Sequence, residues 1–564
     1  MKKLLLLTLF SLLLYGDVKV STFVDHDTRS QSVQKISSSP YFKGLIIIGN
    51  KEDLNPRGYE NVYGVMSYHV DLPGGIVALK KAVRPYYNAP LDSETISVIK
   101  KRVIEYYQNH DRPVVAVTAI PQDITKGVLQ LMVTEGKLGK VTCKGNQWFK
   151  DDRLVEAIQL EPGENIASDI LDQNLYWLNR NPFRQVDAIY KPGKEEGTTD
   201  IELICKDRFP FHIYTGIDNT GNDVTGNNRL FTGFNWGNVF WTDQRLSYQF
   251  ATSSDFKRYQ AHTLYYEIPL PWWQHMINLY GGYSHVDADF HVPTIRGVRF
   301  RTHGFSLQTS LRYDITLKSR RSFLHEVTWG FDFKRTNNNL DLGGIPIISE
   351  DNVNLTQFQL GYNLGYTTSP ISLSFEIEGF YSPGKWVSDQ TNTDYQSLRP
   401  FAKNQYVYAR TAFTLIYKFY EEWSLHNYFR GQVASCNLLP SEEYGVGGYN
   451  TVRGYKERIV NGDQTFIWNL EMRTPPVSIL NALAGWKKFN DEFQFLVFYD
   501  YGLSGVRKAA PGQPKTSYLM SIGPGVRYNV IPYLTFRADW GFQLHNLDLG
   551  GPHQRLHFSL SVGY

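Results

Sequence analysis

The last ten residues, Arg555 to Tyr564, alternate in character. Leu556, Phe558, Leu560, Val562 and Tyr564 fall on one side of an extended chain, and His557, Ser559, Ser561 and Gly563 on the other. A strand divided in this way has one face for an apolar medium and one for a polar medium. The same period recurs back to Phe209, and no helical period survives in that stretch. About sixteen such segments, separated by Gly, Pro, Asn, Asp and Ser, lie between Phe209 and Tyr564, and an even count suits a closed antiparallel barrel spanning an outer membrane.

Connection lengths point the same way, because these barrels have short periplasmic turns and longer external loops. If the first strand rises from the periplasm, Asn337 to Asn354, Ser382 to Asn404, Ser435 to Asp463 and Gly502 to Ser517 are external. Ser369-Pro370 and Ile531-Pro532 close the opposite side. Thr474 to Glu492 is the exception, long for a periplasmic turn. Aromatic residues make up 15% of the chain, with 37 Tyr, a composition that suits rings gathered at the two membrane interfaces. Membrane helices are excluded, since each needs about 20 consecutive apolar residues. The one long apolar run, Leu4 to Leu14 behind Lys2 and Lys3, is too short to span. Residues 1–16 therefore read as a secretory signal peptide cleaved near Gly16.

Between signal and barrel, residues 17–40 are polar and weakly periodic, a linker or a short helix. Two α+β units follow. In residues 41–137, Leu45 to Ile48, Val114 to Val117 and Gly127 to Val133 read as strands, and Ile76 to Val83 and Ser93 to Tyr107 as helices. In residues 138–208, Lys140 to Lys144 reads as strand, and Asp151 to Gln159 and Ser168 to Leu178 as helices. Phe183 to Tyr190 and Thr199 to Lys206 form a hairpin through Pro192 and Gly193. Of the three cysteines, Cys143 and Cys205 share one unit, where they either pair or stay as buried thiols, and Cys436 stands apart.

The formal charge of +3 with scattered basic residues makes nucleic acid an unlikely partner. No G-x-x-x-x-G-K-[ST], H-E-x-x-H or G-x-S-x-G occurs, so the chain carries no handle for ATP hydrolysis, zinc proteolysis or serine esterase chemistry. No catalytic residue, metal ligand set or cofactor is assigned. His325-Glu326 reads as an ordinary pair on a barrel strand.

The external loop Ser435 to Asp463 contains Val452-Arg453-Gly454-Tyr455 after Gly445, Gly447 and Gly448, and a later strand carries Phe498-Tyr499-Asp500-Tyr501-Gly502. A VRGY loop paired with an F-x-D-x-G strand resembles the BamA outer-membrane superfamily, and the whole chain after Tyr41 is similar to its two-partner secretion transporters (TpsB). Pro121 to Gly127, Val133 to Gly136, Leu178 to Pro182 and Gly216 to Asn219 with Gly221 extend the resemblance in order. It implies that the two α+β units, 41–137 and 138–208, are POTRA (polypeptide-transport-associated) domains, that 209–564 is the barrel, and that the loop folds into the lumen with Arg453 paired to Asp500. A guanidinium gripping a carboxylate through two parallel bonds is the suitable tether in a partly dry lumen, and Gly454 permits close backbone approach.

The resemblance further implies an outer-membrane transporter that captures an unfolded adhesin-like or toxin-like exoprotein in the periplasm and exports it without ATP. The chain itself would be inserted among outer-membrane lipids by the barrel assembly machinery. The alternatives are an insertase for other barrels and a passive porin or receptor. Substrate capture would use an exposed sheet edge in the first two units, around Val114 to Ala119. The short 17–40 interval leaves little room for a stable plug helix.

Overall fold

The computed structural model describes residues 39–291, 299–318, 322–337, 339–342, 345–348, 352–485, 489–547 and 552–564. The segments expected to be a signal peptide and, up to residue 38, a linker or short helix lie outside the described residues. The chain divides into one unit ending at Arg208 and a second running from Phe209 to Tyr564.

The N-terminal unit contains two sheets. The first has the order β2-β1-β4-β3, from β1 (Gly44–Ile48), β2 (Gly64–Tyr68), β3 (Val115–Thr118) and β4 (Val128–Glu135). β1 reads Gly-Leu-Ile-Ile-Ile and lies parallel to both neighbours, an unbroken apolar run with both faces covered. Leu45 and Ile47 pack with the helices, while Ile46 and Ile48 pack on the opposite side with Leu54, Tyr59 and Val62. The helices are α1 (Gly75–Val83) and α2 (Ser93–Asn109). α2 starts where the Asp92 carboxylate accepts from the Thr95 N–H at 2.8 Å, and it buries Ile99, Val103, Tyr106 and Tyr107 along one stripe. Strand β2 was not anticipated from the sequence; only Gly64 and Val65 of its Gly-Val-Met-Ser-Tyr are buried, too little apolar alternation to mark it as a strand.

The second sheet has the order β5-β7-β6, from β5 (Lys137–Lys144), β6 (Arg184–Pro192) and β7 (Thr198–Asp207), with α3 (Asp151–Glu156) and α4 (Ser168–Leu178). The segment Asn179 to Pro182 works through its first residue: the Asn179 side chain donates to the Val186 carbonyl at 2.9 Å and accepts from the Val186 N–H at 2.7 Å, standing in for a strand. Cys143 and Cys205 are free thiols. Burial pushes Cys205 up to about 12 and Cys143 up to about 11, so both stay protonated at neutral pH.

The second unit is a closed antiparallel barrel of sixteen spanning strands. They begin with β8 (Phe211–Asp218), β9 (Arg229–Val239), β10 (Gln244–Ser253), β11 (Tyr259–Leu270), β12 (His275–His291), β13 (Arg299–Thr316) and β14 (Phe323–Thr336). A small hairpin, β15 (Asn339–Leu342) with β16 (Ile345–Ile348), extends the wall beside β13. The wall continues with β17 (Val353–Thr367), β18 (Ile371–Ser382), β19 (Tyr406–Lys418) and β20 (Ser424–Ala434). Inside the next loop lies a short hairpin, β21 (Tyr444–Val446) with β22 (Val460–Gly462). The barrel ends with β23 (Gln464–Arg473), β24 (Asp491–Gly505), β25 (Thr516–Val530), β26 (Leu534–Gln543) and β27 (Gln554–Gly563), and β27 pairs back onto β8.

On β27, Leu556 and Val562 face outward and His557 is fully buried inside. At the periplasmic rim, Trp241, Trp272, Trp273, Tyr420, Tyr533 and Tyr564 are all exposed, an interfacial belt of rings. The long periplasmic connection after β23 is shortened by α5 (Ile479–Ala484), which Ser478 caps by accepting from the Asn481 N–H at 3.1 Å. The external loop after β18 carries a further short helix (Asn392–Leu398). The helix at Asn392 begins with a reciprocal capping box between Thr391 and Asp394.

Candidate functional site

The loop between β20 and β23 enters the lumen as a hairpin. Its stem is the β21–β22 pair, and Gly447 and Gly448 at its turn adopt positive φ, where a Cβ would be strained. The tip carries Val452 to Tyr455. Arg453 contacts Glu471, which lies seven residues below the top of β23, a depth of about 18 Å for a strand tilted near 40°.

Arg453 is 2% exposed, and each of its three side-chain nitrogens donates a hydrogen bond. Nε and Nη2 donate to the two Asp500 oxygens, each at 2.7 Å, and the Arg453 backbone N–H adds a third bond to Asp500 at 3.0 Å. Nη1 donates to Glu471 at 2.6 Å and reaches Asp539 at 3.4 Å. The guanidinium plane stacks 3.6 Å from the centre of the Phe498 ring. Asp500, Glu471 and Asp539 lie on β24, β23 and β26, so one loop residue is tied to three strands of the wall.

Further arginines balance the carboxylates. Arg473 donates to Glu471 at 2.6 Å, and Arg527 and Arg537 donate to Asp539 at 2.8 and 2.6 Å. Four guanidinium groups thus face three carboxylates. Charges withdrawn from water hold only when paired and hydrogen-bonded, and this cluster meets that condition.

The neighbours of Arg453 explain their residue types. Gly454 has φ +87°, and a Cβ there would meet the Gly541 carbonyl carbon and oxygen at 2.9 Å. Its N–H donates to His557 Nε2 at 3.1 Å and its carbonyl accepts from Gln543 at 2.7 Å. Tyr455 donates to the Met520 carbonyl at 2.9 Å. Val452 is fully buried, and a Cβ on Gly502 would meet its Cγ2 at 2.6 Å, so Gly502 makes room for the loop.

Two more anchors hold the base of the loop. Glu442, fully buried, accepts from Lys334 of β14 at 2.6 Å, from Tyr408 at 2.7 Å and from Gln357 at 3.3 Å. Asp463 receives a two-pronged grip from Arg399 at 2.6 and 3.0 Å, together with the backbone N–H groups of Leu438 and Arg507. Sequence reasoning missed these residues, and missed Glu471, Arg473, Arg527, Arg537, Asp539 and His557 around the tip. The available signal was the recurrence of charge at alternate positions on strands expected to face a lumen, as in Glu471 with Arg473 and Arg537 with Asp539. His325 makes a hydrogen bond to Tyr362 across the wall at 3.1 Å.

Residues 197–528, more than half of the chain, match the family model described as haemolysin secretion/activation protein ShlB/FhaC/HecB. The chain belongs to this family. The haemolysin secretion/activation proteins are TpsB members of the Omp85/BamA superfamily, and this member resides in the outer membrane. It is 27% identical over 360 residues to the outer membrane transporter CdiB of Dickeya dadantii, covering 62% of this chain and 61% of that relative's length. Identity to the heme/hemopexin transporter protein HuxB of Haemophilus influenzae is 21% over 481 residues, covering 80% and 78%. Among solved structures, CdiB from Escherichia coli superposes with a TM-score of 0.73 at 16% identity, covering 95% of this chain and 93% of that one. CdiB from Acinetobacter baumannii gives 0.67 at 17% identity, covering 97% and 95%. These likenesses establish the shared fold.

Proposed function

We propose that this protein exports one large secreted polypeptide, unfolded in transit, across the outer membrane through its barrel, and that the two N-terminal units act as POTRA domains in the periplasm. The observation that carries this reading is the loop tip held deep in the lumen by Arg453 against Asp500, Glu471 and Asp539. Such a tether suits a channel that must pass a chain and otherwise stay narrow. Membership of a secretion family and the transporter names of its relatives support the same reading.

Capture would occur by strand addition at the free edges of the first sheet, β2 and β3. β3 falls within the segment Val114 to Ala119, and β2 offers exposed Met66 and Tyr68 at alternate positions. Main-chain hydrogen bonds would supply affinity for any extended segment, and the side chains would supply preference. Transport proceeds without nucleotide, driven by folding of the client outside, which prevents its return. The exported partner is an adhesin-like or toxin-like exoprotein.

A comparison of surface and medium proteins with and without the gene tests the proposal. Loss of one large exoprotein is expected. Broad loss of outer-membrane barrels would instead identify an insertase, and unchanged proteins with altered solute uptake a porin.

A further inference from the structure

The outer wall of the barrel carries a constellation that the lumen site does not use. β12 and β13 pair in unbroken register from His275–Ile315 to His291–Arg299, which sets Asp287 directly opposite His303. His285 precedes Asp287 by two residues, so it shares that face and stands diagonal to His303. The face is the outer one: Leu279, Tyr283 and Leu311, at positions of the same parity, are 42%, 44% and 41% exposed, while Asn278 and Ala288 of the opposite parity are buried.

His285 lies ten residues above the periplasmic start of β12, a rise of about 26 Å for a strand tilted near 40°, which just clears an apolar band about 25 Å tall. The three side chains therefore stand at the external membrane surface, within reach of solvent.

One ligand atom from each residue lies within 4.8 Å of the others. His303 Nδ1 stands 3.7 Å from Asp287 Oδ2, and the rings of His285 and His303 meet edge to face at 5.0 Å between centroids. A tetrahedral metal with bonds of about 2.0–2.2 Å requires its ligand atoms about 3.4 Å apart. Small side-chain rotations on rigid, paired strands close that difference.

We propose that His285, Asp287 and His303 form a binding site for a divalent late transition metal, of which Zn²⁺ is the representative, with a fourth position open to water. Two imidazoles in a set of three favour such an ion over Ca²⁺ or Mg²⁺, which take oxygen ligands. Sequence reasoning assigned no metal site, because the three residues become neighbours only through the register of β12 on β13.

The test uses the full-length protein in detergent, without a polyhistidine tag, stripped with chelator and then dialysed against Zn²⁺. Zinc content and calorimetric binding are compared with the His285→Ala/His303→Ala double variant, whose folding is verified by its heat-modifiable gel mobility. The wild type should retain one equivalent more than the variant, and Co²⁺ should give tetrahedral visible absorption bands that the variant lacks. Asp287→Asn should weaken Zn²⁺ binding by about tenfold or more. Equal zinc uptake by wild type and double variant, or none by either, would overturn the site.

Discussion

At the scale of single residues, Arg453 concentrates the argument. Its side chain answers three carboxylates at once and lies flat on Phe498, a combination that requires a planar group with donors in a fixed fork. Arg453→Ala leaves Asp500 and Glu471 buried without their shared partner, a loss of about 3–5 kcal/mol. The hairpin should then leave the lumen while the barrel persists. Limited proteolysis should cut at Lys456 or Arg458 in this variant but not in the wild type, with heat-modifiable mobility retained and export reduced. Arg453→Lys keeps the charge and loses the fork, so its protection should fall between the two. If Arg453→Ala and Asp500→Ala both export normally and resist protease, the tether has no part in transport.

Elements show how the loop is held at its base and how the N-terminal sheets respond to acid. Lys334 and Glu442 are both buried, and Glu442→Gln strands an unpaired ammonium at a cost of about 3–5 kcal/mol. Lys334→Met combined with Glu442→Gln removes both charges and should recover most of that loss. The measurement is the thermal transition of each variant in detergent, and additive losses in the double variant would argue against a direct pair. In the second sheet, Glu202 of β7 lies between Lys144 of β5 at 2.8 Å and Lys191 of β6 at 2.6 Å. Hydrogen bonds from Lys144 and then Lys191 hold its carboxyl below the usual range. A depressed acid contributes stability that is complete above its unfolded pKa and is lost as pH falls through the folded value. Acid titration of the periplasmic fragment should therefore show a loss that Glu202→Gln lacks, read by circular dichroism.

For the whole molecule, closure is the feature that makes a barrel out of a sheet. The β27–β8 seam is short, running from Ser559–Asp218 to Gly563–Tyr214. Asn219 lengthens it, donating to the Leu556 carbonyl at 2.6 Å and accepting from the Phe558 N–H at 3.0 Å. Its side chain extends the ladder beyond the last backbone pair. Asn219→Ala should lower the temperature at which the barrel loses its compact gel mobility, whereas a matching substitution at the exposed Asn227 would leave that temperature unchanged. An equal shift for both would remove the special role of Asn219.

Strand period and turn chemistry are local properties, and they were legible. The alternation from Phe209 onward specified a barrel of about sixteen strands, and it placed His557 on the inner face and Leu556 on the outer one. The resemblance carried by Val452 to Tyr455 and Phe498 to Gly502 directed attention to Arg453 and Asp500. Neither could supply the partners that lie far along the chain: His557 is 103 residues from Gly454 and Glu442 is 108 from Lys334. Such contacts depend on strand tilt, on register and on how far a loop descends, which are properties of the closed barrel as a whole. The same reason separates Asp287 from His303 in sequence and joins them in the wall. Local chemistry determined which face each residue takes, and register, loop descent and closure decided which residues meet.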